Sequence, residues 1–227
     1  MNHNEKTISS IEAEWHSQLT RIETATFGMG CFWGPDARFG HLPGIIRTRV
    51  GFAGGTKESP TYRSMGDHTE TIEVDFNPEM LSFEEILHVF WNNHTSTNRV
   101  NYKERQYMSI LFYHDEQQKE AILNVKKELE DERKETIETE VVPYSGFALA
   151  EAHHQKYYLK RFSIAIDLLN THYPSVDAFT HSTLIARLNG FVREFGTLND
   201  IKNEVSEWNI REDSREIVLN ILKNIRW

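Results

Sequence analysis

Cysteine is almost absent from this chain: Cys31 is the only one in 227 residues. One cysteine cannot close an intramolecular disulfide or build a cysteine-based zinc site. A chain with no disulfide framework suits a reducing compartment, most simply the cytoplasm. Long apolar runs are missing too, and none approaches the roughly 20 residues a membrane helix needs. The N-terminal stretch carries Glu5, Glu12 and Glu14 and no continuous apolar segment, which argues against a secretory signal. Positive charge is in deficit: 25 Lys and Arg against 34 Asp and Glu leave a net charge of −9. That sign argues against a general binder of nucleic acid or of an anionic membrane, either of which wants a basic surface, and leaves room only for a local basic patch. Neither internal repeats nor low-complexity tracts occur.

What is present suits a folded globule: 39% hydrophobic residues, with five Trp, eight Tyr and 13 Phe. Ile8, Ile11, Trp15, Leu19 and Ile22 form a helical apolar stripe, so residues 1–21 read as an N-terminal helical segment docked on the body. A strand then runs to about Met29, and a helix opens at Cys31 and ends near Pro43-Gly44. Ile45–Phe52 reads as a strand. From Glu70 to Phe76 the pattern alternates, with Ile72, Val74 and Phe76 on one face and Glu73 and Asp75 on the other. Ser82 and Glu85 form a capping-box signature ahead of a helix carrying Phe83, Ile86, Leu87 and Phe90. Tyr107–Tyr113 is a strong strand, Asp115 starts a long charged helix, and Thr136–Val142 is a further strand. Helices alternating with strands predict an α/β or α+β sandwich with helices packed on a sheet. Past Phe162 the strand signals stop and every apolar pattern is helical. Residues 22–162 therefore read as the main domain and 163–227 as a helical C-terminal extension, too short for a comfortable core of its own.

The chemistry centres on Gly28-Met29-Gly30-Cys31-Phe32-Trp33-Gly34. A thiol at the entrance of a helix gains thiolate character from unpaired backbone N–H groups and the helix dipole. The commoner fate of a lone cysteine is burial and inertness, but Gly30 and Gly34 leave room for a molecule to approach the sulfur. Glu70 has two readings. In phase with Ile72, Val74 and Phe76 it points to the apolar face, where burial would keep it protonated near neutrality; just outside the sheet it would be solvated. Tyr62 and Tyr107 are either phenol donors to a reacting oxygen or rim aromatics of the core. Taken together, a protonated Glu70 and two phenols suit an oxygen-bearing electrophile attacked by Cys31, with Phe32 and Trp33 holding an apolar group such as a methyl.

The run Gly30-Cys31-Phe32-Trp33-Gly34 resembles the signature of the A-type peptide methionine sulfoxide reductases. The likeness continues through Val50-Gly51-Phe52-Ala53-Gly54-Gly55, Pro60-Thr61-Tyr62, His68-Thr69-Glu70, Val89-Phe90-Trp91-Asn92-Asn93-His94 and Gln106-Tyr107-Met108-Ser109. It ends near Glu151-Ala152-His153-His154-Gln155. The resemblance implies a ferredoxin-like core, no cofactor, and reduction of the S epimer of methionine sulfoxide, free or in oxidised proteins. By the same resemblance Cys31 attacks the sulfoxide sulfur and becomes a sulfenic acid, Glu70 protonates the oxygen, and Tyr62 and Tyr107 bind that oxygen. Phe32 and Trp33 would cradle the substrate methyl, with His154 lining the site.

The chain departs from the family pattern in three places. It has no second cysteine, so an external thiol must reduce the sulfenic acid: thioredoxin, glutathione with glutaredoxin, or a small dithiol. Tyr102 stands where the family usually has a substrate-seating Asp. The loop from Tyr62 to Glu70 is short and lacks the usual Gly before His68. His68, His153 and His154 do not have the spacing of a metal site, since adjacent residues cannot share a helix face. Two other function classes fit parts of the pattern: a catalytically weak or inactive module that binds oxidised methionine, and a thiol peroxidase.

Overall fold

The computed structural model describes residues 6–96 and 105–227. Its centre is a run of β1 (Glu23–Met29), α2 (Trp33–Gly40), β2 (Ile45–Ala53), β3 (Thr69–Phe76), α3 (Phe83–Asn92) and β4 (Ser109–Tyr113), preceded by α1 (Ile8–His16). Then follow α4 (Glu116–Arg133), β5 (Glu140–Pro143) and β6 (Phe147–Leu149). The six strands lie in the order β5-β4-β1-β3-β2-β6. All neighbours are antiparallel except β4 and β5. Within it, β4-β1-β3-β2 with its two crossover helices is the ferredoxin-like arrangement of a mixed α/β fold.

The alternation in β3 divides the sheet into two faces. Ile72, Val74 and Phe76 join Phe27 and Leu111 in a core closed by Phe39 of α2, Ile86 and Phe90 of α3, and Ile122 of α4. The opposite face is closed by charge. Arg49 reaches Glu73 and Asp75, Arg47 reaches Asp75, and Tyr144 donates to Glu73 at 2.8 Å. All eight residues of β3 are therefore buried. The Ser82/Glu85 capping box forms as the sequence predicts.

Beyond the sheet come α5 (Ser163–Asn170), α6 (Val176–Thr180), α7 (Thr183–Phe191), α8 (Leu198–Glu207) and α9 (Glu212–Asn224). Thr197 caps α8 with a capping box, and α9 begins at Glu212. Helix α1 belongs with this group: Ile8, Ile11 and Trp15 share a core with Leu184, Val205 and Leu222. Trp15 also stacks on Trp208 at 4.3 Å. The apolar stripe extends further than the helix does. Gln18 and Leu19 close tight turns on Trp15 and His16, and Ile22 is exposed, because the chain must turn here to enter β1.

Helix α7 packs directly on α2. A Cβ on Gly40 would lie 2.7 Å from Ala186 O, and one on Gly190 2.5 Å from His41 Cβ, so only glycine allows this approach. The buried Arg187 fastens the contact, donating to Gly40 O and Ile45 O at 2.7 Å each and pairing with Glu204. Among the described residues no helix is long and apolar enough to cross a membrane.

Candidate active site

Sheet order gathers the candidate residues at one corner. β1 runs antiparallel to both β3 and β4. The end of β1, where Cys31 follows, therefore lies beside the start of β3, where Glu70 sits, and Met29 pairs with Ser109 at the start of β4. Residues 106 and 107, just ahead of β4, arrive at the same place. Gly30 turns the chain with φ of +93°, a conformation costly for any residue with a side chain. A Cβ at Gly30 or Gly34 would meet nothing within 4 Å, so the space beside Cys31 is open.

Cys31 is exposed. It precedes α2 by two residues, because the helix starts at Trp33 rather than at Cys31 as the sequence predicted. Although the residue is exposed, partial desolvation by the surrounding protein is the larger push on its thiol pKa, upward, with the nearby Glu70 adding to it and the Trp33 backbone N–H opposing in part. The helix-entrance effect expected from the sequence is thus present but outweighed. Approach of a proton acceptor or loss of the Glu70 charge would favour the thiolate.

Glu70 is fully buried. Its Oε2 accepts the Phe32 backbone N–H at 3.1 Å and its Oε1 accepts from Gln106 Nε2 at 2.8 Å. Burial raises its pKa, and these two bonds pull the other way. Both donors are neutral, so they weaken the shift without reversing it. The buried reading of Glu70 is the one the fold adopts.

Tyr107 lies in the turn before β4, not within the strand. Burial, Glu70 and a hydrogen bond with Tyr62 push its phenol pKa up, so it stays a proton donor at every physiological pH. The Tyr62 ring lies 6.3 Å from Phe32 and 4.4 Å from His154. The short Tyr62–Glu70 loop thus still delivers Tyr62 to Tyr107. Phe32 is 1% exposed and packs on Phe52, while Trp33 is half-buried. Trp33 stacks flat on Tyr157 at 3.7 Å and donates from Nε1 to His154 Nδ1 at 3.2 Å.

The structure therefore brings Cys31, Glu70, Tyr62, Tyr107, Phe32, Trp33 and His154 together. Tyr102 lies outside the described residues. His68 is occupied elsewhere: Nδ1 accepts from Gly55 N–H and Nε2 lies 2.9 Å from Lys57 O, a structural role. Among the described residues no cluster of three His, Cys, Asp or Glu could hold a metal.

Sequence reasoning passed over four residues. Gln106 was read only as part of a motif with Tyr107, although a polar side chain just ahead of a strand that pairs beside Cys31 is well placed to meet Glu70. Tyr157 backs Trp33. Asp36 and Lys156 form a fully buried pair at 2.8 Å that ties the first turns of α2 to β2, with Lys156 Nζ also donating to Thr48 O and Thr48 Oγ1. Nothing in the local pattern of residues 36 and 156 signals this pairing across 120 positions.

Residues 23–182 match the family model of the peptide methionine sulfoxide reductases. A peptide methionine sulfoxide reductase of Drosophila melanogaster is 42% identical over 194 residues, covering 85% of this chain and 77% of the relative. The MsrA of the archaeon Methanococcoides burtonii is 41% identical over 148 residues, 61% of this chain and 97% of its own length. Among solved structures, reduced Mxr1 of Saccharomyces cerevisiae matches with a TM-score of 0.57 at 25% identity, over 62% of this chain and 86% of that one. Methionine sulfoxide reductase A of Corynebacterium diphtheriae matches with a TM-score of 0.54 at 28% identity, over 65% and 78%. Fold, site and relatives together define an oxidoreductase of mixed α/β fold. The chain belongs to the peptide methionine sulfoxide reductase family, A type, and its activity is the reduction of methionine sulfoxide.

Proposed function

We propose that the chain reduces the S epimer of methionine sulfoxide, in proteins and free, with Cys31 as nucleophile. The observation that carries this reading is the exposed Cys31 thiol beside a carboxyl whose pKa burial raises and whose Oε2 is anchored on the very next residue. Cys31 Sγ attacks the sulfoxide sulfur while Glu70 gives its proton to the sulfoxide oxygen. The Tyr62 and Tyr107 phenols donate to that oxygen as charge builds on it. The sulfur–oxygen bond breaks as the bond between Cys31 Sγ and the substrate sulfur forms, and the oxygen leaves as water. Water then adds to Sγ, the Sγ–sulfur bond breaks, and methionine departs with Cys31 left as sulfenic acid, so that one thiol is oxidised and one sulfoxide reduced. Trp33, braced by Tyr157 and His154, holds the substrate methyl over the buried Phe32.

The chain holds no second cysteine, so the sulfenic acid is reduced by two external thiol groups, which leave as a disulfide with release of water. Thioredoxin is the proposed reductant, with glutathione and glutaredoxin as the competing system; both belong to a reducing compartment such as the cytoplasm. The proposal is tested by treating the enzyme with one equivalent of methionine S-sulfoxide, without reductant, and trapping Cys31 with a sulfenic-acid-specific nucleophile. A stoichiometric adduct at Cys31 supports it. Binding of the sulfoxide with no methionine released would replace it with the binding-module reading. Comparing turnover with thioredoxin and with glutathione plus glutaredoxin then identifies the reductant.

A further inference from the structure

We propose that Glu151 is a positioning residue for Tyr62, joining the Tyr62 loop to the Trp33–His154 wall of the pocket. The Glu151 carboxylate accepts the Tyr62 backbone N–H, at 3.1 Å through Oε1 and 3.4 Å through Oε2. No regular element other than one isolated bridge between Thr61 and Ser64 fixes the chain around Tyr62, so this contact sets where its phenol points. That phenol is hydrogen-bonded to Tyr107.

On its other side Glu151 faces His154. His154 Nδ1 accepts the indole proton of Trp33, so in the neutral ring the proton sits on Nε2. Burial and the adjacent His153 hold that ring below its usual pKa, with Glu151 opposing. Nε2 is buried, has no hydrogen-bond partner, and lies 4.0 Å from Glu151 Oε2. The carboxylate that holds Tyr62 is thus also within ion-pair distance of this buried ring nitrogen. The rest of this turn cannot shift freely. Gln155 is bonded to both Val50 N and Val50 O, and Lys156 is locked to Asp36 and Thr48. Asp67 and His68 hold the ends of the Tyr62 loop on Thr56, Gly55 and Lys57, and Glu151 and His154 link its tip at Tyr62 to a wall fixed to α2 and β2.

This inference rests on the reading that the Tyr62 phenol binds the sulfoxide oxygen. The test is a double-mutant cycle on peptide-bound methionine S-sulfoxide with dithiothreitol: parent, Glu151→Ala, Tyr62→Phe and both together. A displaced binding group costs roughly tenfold to a hundredfold in rate, so Glu151→Ala is expected to lower kcat by about that factor in the parent. In the Tyr62→Phe background, with no phenol left to aim, the same change should cost less than about twofold. Glu151→Gln keeps an acceptor for the Tyr62 N–H and should recover most of the lost kcat. Equal losses in both backgrounds, with Tyr62→Phe itself impaired, would overturn the positioning role alone. Full activity in Tyr62→Phe would remove Tyr62 from the chemistry and the positioning role with it.

Discussion

Glu70 and Phe32 are joined across 38 positions of sequence by a 3.1 Å hydrogen bond from the Phe32 backbone N–H to Glu70 Oε2. Phe32 directly follows Cys31, so the proposed acid and the proposed nucleophile share one anchor, and a main-chain contact ties the two together. Burial keeps the Glu70 pKa above the ordinary carboxylate value of 4.5. The protonated form that the proposed mechanism uses as acid is therefore full below that raised pKa and lost as pH rises through it. Glu70→Gln cannot transfer a proton. Its kcat at pH 7 should fall by about a hundredfold or more, and its pH–rate profile should lose the limb that belongs to Glu70. Retention of most of the rate would mean that the side chain only donates a hydrogen bond.

Gln106 is hydrogen-bonded to the proposed acid. Its Nε2 stabilises the charged form of Glu70 through the 2.8 Å bond to Oε1, and a donor to a carboxylate lowers its pKa. Gln106→Leu should thus raise the Glu70 pKa further and move the alkaline limb of kcat/KM to higher pH. A limb that stays in place, or shifts to lower pH, would show that Gln106 acts only by shape.

Gln106 also illustrates what the sequence could and could not disclose. The alternation of strands and helices was legible, because period-two alternation in Glu70–Phe76 and the helical stripe from Phe83 to Phe90 are local patterns; the ferredoxin-like core came only with the family resemblance. The reach of Cys31, Glu70, Tyr62 and Tyr107 to one corner was legible through the family resemblance. The supporting contacts were not. Asp36 with Lys156, Glu151 with Tyr62 and Arg187 with Gly40 join residues far apart in the chain by side-chain hydrogen bonds that leave no periodic trace. The entry of α2 at Trp33 was missed by two residues, since Gly30 spends the residues after β1 on a turn. Helix α1 looked like a cover for the body, yet its apolar face meets α7, α8 and α9, which the sequence places at the other end.

Lys156 and Asp36 are both wholly buried. Removing one partner of such a pair strands a charge and typically costs about 3–5 kcal/mol, whereas replacing both costs far less. Lys156→Met should therefore destabilise the fold by about that amount in urea denaturation, and Asp36→Asn combined with Lys156→Met should recover part of it. A double variant no more stable than Lys156→Met would contradict the stranded-charge explanation.

Glu12 makes the docking of α1 pH-dependent. Its carboxyl accepts from Leu184 N–H at 2.7 Å and Ser182 Oγ at 3.0 Å, but burial prevails and pushes its pKa from 4.5 up to about 7. The fold binds this proton more tightly than the unfolded chain does, so the contribution is complete below pH 4.5 and is lost as pH rises through about 7. The loss is about 3 kcal/mol. His16, one turn on, acts in the opposite sense: burial lowers its pKa to about 4, so its contribution is complete above 6.5 and lost as pH falls towards 4. Glu12→Gln removes the first effect and keeps the second. Its stability relative to the parent, from urea midpoints, should improve by about 2–3 kcal/mol between pH 4.5 and pH 8. A difference independent of pH would contradict burial of a titrating carboxyl at this interface.

The most direct measurement separates the two epimers. The parent chain and Cys31→Ser are each incubated with methionine S-sulfoxide and with methionine R-sulfoxide in the presence of dithiothreitol, and the methionine formed is quantified. The parent should convert the S epimer and leave the R epimer, and Cys31→Ser should convert neither. Conversion of the S epimer by Cys31→Ser, or its survival in the presence of the parent chain, would contradict the assignment of Cys31 as the nucleophile of this reductase.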